Sequence, residues 1–314
     1  MGAMAMGGEA FGQQSAANQT WEGKAFGDGL LSGKVAVITG AGRGIGRAIA
    51  VDMAANGADI VGIDICGKIT PVQSYPVTTT ADLDETGRLV KAHGRQFVEV
   101  VGDVRDIKFL RATAEKTQQQ FGHIDIVVAN AGTQLFKPLV EMEDWEWNGV
   151  IDNNLNGTAN TIRAFAPKII AGGKGGRIIV VSSMQGKHGS KNMSSYSASK
   201  WGIIGLMKSA ALELGHYKIT VNALVPGLID TPLTRNDARW SAMIGEITAN
   251  PNPPKHPTEQ EAASTRAPHV PLGVPWLKAE DMAPAAVFLA SDGAGMVTGA
   301  CYDVTGGDDA SNMS

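Results

Sequence analysis

KVAVITGAGRGIGRAIAVDMAANGADIVGID, residues Lys34 to Asp64, reads as an apolar strand, a glycine-rich turn, a helix and a second strand. Gly40, Gly44 and Gly46 stand at the turn and the helix entrance. The missing side chains there let backbone and a pyrophosphate approach closely, and the helix N-terminus faces the negative charge. The second strand ends in Asp64, eighteen residues beyond Gly46. A carboxylate at that point accepts hydrogen bonds from both ribose hydroxyls of an adenosine and repels a 2′-phosphate, which favours NAD over NADP. A glycine-rich turn alone is weak evidence, but strand, turn, helix, strand and terminal acid in this order specify a dinucleotide site.

Working outward, apolar runs near Val35–Thr39, Ile60–Asp64, Phe97–Val101, Ile124–Ala129, Arg177–Ser182, Thr220–Val225 and Tyr302–Val304 read as strands with helices between them. Seven strands joined by helical crossovers predict an α/β chain: a Rossmann-type, doubly wound parallel sheet with helices on both faces and ligands at the carboxyl ends of the strands. The segment SSMQGKHGSKNMSSYSASK places Ser183 at the end of one such strand and Tyr196 and Lys200 four residues apart on a helix. An ammonium beside a phenol favours the phenolate and makes the tyrosine a general acid/base, while the Ser183 hydroxyl is placed to grip a substrate oxygen.

Together, TGAGRGIG, NAG at Asn130 to Gly132, Ser183 and Tyr196-Ser-Ala-Ser-Lys200 resemble the classical short-chain dehydrogenase/reductase family, from about Lys34 to Gly307. The resemblance implies hydride transfer between NAD and a secondary alcohol or ketone, with Asn154, Ser183, Tyr196 and Lys200 as the catalytic set. It implies that Lys200 also binds the nicotinamide ribose and that Asn154 holds a water linking Lys200 to solvent. Cofactor contacts are expected from Gly40, Arg43, Gly44, Ile45, Gly46, Asp64, Ile65, Asp103, Val104, Asn130, Ala131, Gly132, Tyr196, Lys200, Pro226, Gly227, Ile229 and Thr231. Ser183, Gln185, Tyr196 and Trp240 are expected to meet the substrate, and a homotetramer is implied. The loop after Asp64, ICGKITPVQSYPVTTTAD, resembles the subgroup containing carveol dehydrogenase and the mycofactocin-associated nicotinoprotein dehydrogenases, in which it covers bound NAD.

The chain has 314 residues, 43% hydrophobic and 18% charged, with net charge −4. It lacks the basic excess of a nucleic-acid binder, and no stretch reaches the length of a membrane span. Two cysteines, Cys66 and Cys301, make no disulfide framework, and neither they nor the six histidines show metal spacing. A reducing cytoplasm is expected. Residues 1–31 read as a flexible tail or, through Trp21 and Phe26, an arm onto a neighbouring subunit. Residues 32–314 read as one domain, with an insertion near 66–81 and a proline-punctuated substrate lid near 228–278. Trp240, Met243 and Trp276 are candidates for an apolar lining, as suits a cyclic or terpenoid-like alcohol, or for lid core. An alternative reading is an NADPH-dependent ketone or 3-oxoacyl reductase, with Arg43 meeting the 2′-phosphate; Asp64 opposes it. A non-catalytic NAD sensor is expected to have lost one of the four catalytic residues, and all four are present.

Overall fold

Val35–Thr39 (β1) and Asp59–Asp64 (β2) contain no exposed residue, as a parallel strand covered on both faces requires. Successive side chains alternate between the faces. Ala36, Ile38 and Ile60 join one core, whereas Val35, Val37, Val61 and Ile63 join another. The computed structural model describes residues 29–69 and 75–310. Its remaining strands are Phe97–Val101 (β3), Ile126–Ala129 (β4), Gly176–Val181 (β5), Ile219–Pro226 (β6) and Cys301–Val304 (β7). They form one parallel sheet in the order β3-β2-β1-β4-β5-β6-β7.

The first core lies under helices Gly44–Ala55 (α1) and Thr80–Ala92 (α2), through Ile49, Met53 and Leu83. The second lies under Ile107–Phe121 (α3), which contributes Leu110. The chain then runs through Asp144–Ile151 (α4), a π-helical turn at Asp152–Asn156, and Gly157–Gly172 (α5). Phe165 of α5 and Met207 of Ser194–Leu214 (α6) complete that face. Asp237–Ile247 (α7) and Glu259–Arg266 (α8) lie between β6 and Ala283–Ala290 (α9), which returns to the first face with Val287 and Leu289.

Three details differ from the sequence expectation. Leu31 is fully buried and its amide donates to the Asn56 carbonyl at 2.8 Å, so the folded unit begins before residue 32. The tail positions Trp21 and Phe26 lie outside the described residues. β4 starts at Ile126 rather than Ile124; just ahead of it the Asp125 carboxylate takes the Val35 amide, at 2.9 Å. The helical run from Asp144 to Gly172 carries a π turn at Asp152–Asn156, a local feature with no hydrophobic signature.

Strand order reverses direction between β1 and β4, and the ends of these strands are sewn together. Asn130 Nδ2 donates to the carbonyls of Thr39 at 2.9 Å and Gly40 at 3.2 Å, while Thr39 Oγ1 accepts from the amides of Asn130 and Ala131. Gly46 sits directly behind this seam: a Cβ there would lie 2.1 Å from the Gly40 oxygen and 2.6 Å from Asn130 Nδ2. In an open helix Ala is favoured over Gly by about 1 kcal/mol. Here the sign is expected to reverse, because the clash is with backbone and overpacking costs about 1–3 kcal/mol. Gly46→Ala should therefore melt several degrees below wild type, and an equal or higher Tm would show that the turn relaxes freely.

Candidate active site

Tyr196 and Lys200 belong to the first turns of α6, where burial replaces the solvent a helix surface would normally see: their relative exposures are 8% and 4%. Lys200 Nζ donates to the Val181 carbonyl at 2.9 Å, and Ser182 Oγ donates to the Lys200 carbonyl at 2.9 Å. These two bonds tie α6 to the carboxyl end of β5 and bring Ser183, the next residue, beside the phenol. Ser183 caps a 3-10 turn and its hydroxyl accepts from the Gln185 amide at 3.2 Å. Lys200 Nζ lies 5.6 Å from the centre of the Tyr196 ring.

Burial pushes the Tyr196 phenol above its ordinary range, with the Ser183 hydroxyl and the Arg239 charge drawing it back. Burial also pulls the Lys200 ammonium down to about 8. Burial thus opposes the phenolate that the neighbouring ammonium is expected to favour. Desolvation of the phenol outweighs charge attraction, and the described hydrogen bond of Lys200 goes to a backbone carbonyl.

A cleft of about 1380 Å³, counted to its open mouth, runs along the strand ends. Among the cofactor candidates, Gly40, Arg43, Gly44, Ile45, Asp64, Ile65, Asp103, Val104, Asn130, Ala131, Gly132, Tyr196, Lys200, Pro226, Gly227, Ile229 and Thr231 all line it, as do Ser183 and Gln185. The glycines form a cradle. A Cβ on Gly40 would meet Asn130 at 2.8 Å, and one on Gly44 would meet Thr231 at 3.0 Å. Asp64 accepts from the amides of Gly42 and Cys66, both at 3.0 Å, which leaves one lone pair on each carboxylate oxygen for ribose hydroxyls. These donors and acceptors and the glycine cradle fit a dinucleotide.

Gly46 and Asn154 stand behind the wall rather than in it. Asn154 lies in the π turn, with all four of its side-chain hydrogen-bonding positions filled. Oδ1 accepts from the Thr133 amide and Asn153 Nδ2, and Nδ2 donates to the Thr133 carbonyl and Ser199 Oγ, at 2.8–3.0 Å. The side chain is thus committed to protein partners, the π turn aiming it into the protein.

The described ends of the insertion after β2 are fastened to the rest of the protein. Tyr75 is buried with its hydroxyl 2.7 Å from Thr133 Oγ1, and Arg105 Nη1 donates to the Ile69 carbonyl at 3.1 Å. Arg43 donates to the Pro76 and Val77 carbonyls, so its guanidinium is engaged with the loop rather than free for a phosphate. Residues 70–74 of this loop lie outside the described residues. Lys187 turns away to Asp303 and Asp309, at 2.8 and 3.4 Å.

Trp240 does not reach the cleft. It packs in a separate lid core with Met243, Ile244 and Trp276, its ring centre 6.1 Å from that of Trp276. Adjacent helical residues point about 100° apart, and on α7 it is Arg239 that lines the cleft. Sequence reading passed over Arg239, because nothing in NDARWSAMIGEI distinguishes an inward arginine from a solvated one. Tyr75, Gln134, Leu228 and Leu233 also line the cleft without having been singled out.

The sequence pattern of the family described as short chain dehydrogenase matches residues 34–242. The chain belongs to the short-chain dehydrogenase family. It is 36% identical to a (-)-trans-carveol dehydrogenase from Rhodococcus erythropolis, over 88% of this chain and 98% of that one. Among solved structures, carveol dehydrogenase from Mycobacterium avium in complex with NAD superposes with a TM-score of 0.83 at 39% identity, covering 89% of this chain and 99% of that one. A short chain dehydrogenase from Mycobacterium paratuberculosis bound to NAD gives 0.80 at 39%, covering 90% and 100%. As a short-chain dehydrogenase, the chain is an oxidoreductase.

The depressed Lys200 value has a thermodynamic consequence. In the folded short-chain dehydrogenase Lys200 gives up its proton near pH 8, while the unfolded chain holds it up to about 10.5. Between these limits the unfolded state binds more protons, so the contribution of Lys200 to stability rises with pH. Urea unfolding of wild type and Lys200→Met should show wild type gaining about 3 kcal/mol relative to the variant across that window. A pH-independent difference would mean that Lys200 is solvated.

Proposed function

We propose that this dehydrogenase interconverts a secondary alcohol and its ketone with NAD as the redox partner. The observation that carries the reading is the buried Ser183, Tyr196 and Lys200 group sharing one cleft with the glycine cradle and Asp64. Bound NAD supplies the acceptor for the hydride that leaves the carbinol carbon. In the proposed roles, Ser183 and Tyr196 hold the substrate oxygen. Tyr196 gives its proton to that oxygen in reduction and, as the phenolate, takes the hydroxyl proton in oxidation. Lys200 steadies the charge on Tyr196 while the proton is away, and the saturated Asn154 side chain holds the Thr133 and Ser199 backbone and hydroxyl groups that frame it.

Asp64 and the glycines hold the adenosine ribose and the pyrophosphate, and the fastened insertion covers that end and slows cofactor exchange. The engagement of Arg43 with loop carbonyls and the carboxylate of Asp64 both favour NAD over NADP. Leu228, Leu233, Met184 and Met193 line the substrate end, which suits an alcohol on an apolar, cyclic frame of the kind named for the carveol-oxidising relative. α7 and α8 act as a lid that excludes water from the reacting atoms.

The same reading places the enzyme in the cytoplasm, where its free Cys66 and Cys301 stay reduced, and makes it a homotetramer. No helix among the described residues is long and apolar enough to cross a membrane. Trp201 and Leu212 on α6 are 50% and 86% exposed, and β7 is an edge strand. Pairing would cover both. Light scattering should return the mass of four 32.8 kDa chains; a single-chain mass would exclude the assembly.

The proposed chemistry is tested at Tyr196. Its ring packs against Val150 and Met193, and Phe preserves that packing while removing the proton carrier. Tyr196→Phe should keep NAD binding and Tm while lowering kcat by about 10²–10⁴-fold. Activity within threefold of wild type would reject the assignment of Tyr196.

A further inference from the structure

The guanidinium of Arg239 is the unexplained charge of the cleft. It is 8% exposed and lines the same wall system as Ser183 and Tyr196. Its backbone amide is engaged in the α7 cap, donating to Asn236 Oδ1 at 3.1 Å. Its side chain has no hydrogen bond or ion pair to any described residue; what it does meet is the Phe136 ring, 5.8 Å from Cζ to the ring centre. The other lid arginines behave differently. Arg235 forks onto Asp230 at 2.6 and 2.8 Å, and Arg266 holds Asp308 and the Pro275 carbonyl.

The carboxylates that sense Arg239 are committed elsewhere: Asp308 to Arg266, and Glu246 to the Ser190 hydroxyl at 3.3 Å. Arg266 adds a repelling like charge, and burial with this repulsion lowers Arg239 to about 10, which leaves it cationic at neutral pH. A cation withdrawn from water without an anion or acceptors is strongly unfavourable. A guanidinium fork left open toward a cleft is the shape that a carboxylate fills with two parallel hydrogen bonds.

We infer that the substrate carries a carboxylate, that Arg239 binds it, and that the enzyme therefore acts on hydroxy acids and oxo acids with an apolar carbon frame. The charge of Arg239 is felt by Tyr196, so the carboxylate sits at the reacting end of the cleft, on the same molecule as the carbinol. Met184, Met193 and Leu228 line the cleft with apolar surface, which both strengthens the ion pair and selects the frame. The inference rests on the dehydrogenase reading above and narrows its substrate.

The test compares hydroxycyclohexanecarboxylates with their methyl esters and with cyclohexanol, using NAD and wild-type enzyme, Arg239→Met and Arg239→Lys. Wild type should prefer each acid over its ester by on the order of 10²-fold in kcat/KM. Arg239→Met should lose that preference, read as the ratio of acid to ester kcat/KM within the same variant, and Arg239→Lys should keep part of it. A second readout needs no turnover. Non-reactive cyclohexanecarboxylate should raise the Tm of NADH-loaded wild type and leave that of Arg239→Met unchanged, and Arg239→Met without ligand should melt above wild type because the unpaired cation is gone. Turnover of neutral alcohols with no preference for acids would overturn the inference and leave the dehydrogenase reading standing. Absence of turnover with every alcohol would instead strike that reading, and the thermal shift with cyclohexanecarboxylate would then decide whether Arg239 is a carboxylate site. Should Arg239→Met fail to fold, the acid-to-ester ratio of wild type and the behaviour of Arg239→Lys decide the matter alone.

Discussion

The hydrogen bond from Lys200 to the Val181 carbonyl, with its companion from Ser182 to the Lys200 carbonyl, is the contact on which the rest of the site depends. It fixes the start of α6 against the end of β5, and so decides that Ser183 and Tyr196 share one wall. The approach is close: a Cβ on Gly186 would lie 2.6 Å from Ser182 Oγ and 2.8 Å from the Lys200 oxygen. An ammonium used as a structural tie inside the protein has a lowered proton affinity, because the carbonyl only partly replaces the water it has lost. One bond thus sets both where the tyrosine stands and what charge stands behind it.

A second layer of polar contacts holds this arrangement from behind. Asn154 is wholly buried and bonded at every side-chain position, and it joins the loop carrying Thr133 to the helix carrying Ser199. Thr133 in turn meets Tyr75 of the insertion. A continuous set of bonds therefore runs from the insertion after β2, through Thr133 and Asn154, to the helix of Tyr196 and Lys200. Such a network is stable only when every member is satisfied, which the π turn achieves by turning Asn154 inward.

The lid follows the opposite logic. It has its own apolar core of Leu228, Met243, Ile244 and Ala262, flanked by Trp240 and Trp276. Arg235 and Arg266 are neutralised by neighbouring carboxylates. The cation turned into the cleft is the exception, and it gives the lid a chemical reason to discriminate among the molecules it closes over. An apolar cavity with one oriented charge distinguishes an acid from its ester far better than shape alone distinguishes two hydrocarbons.

Much of this was legible in the chain itself. The seven strands, the glycine turn, Asp64 at the end of β2 and the Ser183, Tyr196 and Lys200 spacing all depend on local rules: alternation of side chains, apolar runs for doubly covered strands, and the four-residue repeat of a helix face. What only the tertiary structure decided concerns residues whose surroundings come from distant segments. Arg239 and Trp240 are neighbours of equal promise in sequence, yet packing against Trp276 turns one into the lid and leaves the other facing Tyr196. Arg43 is claimed by loop carbonyls 33 and 34 residues away. Burial pushes the phenol of Tyr196 above its ordinary range, an effect of every element packed around it. Short-range periodicity specifies which way a backbone runs and which groups share a face; the electrostatic state of a side chain depends on how much water the whole fold removes from it, and that sum is not written in any local stretch of residues.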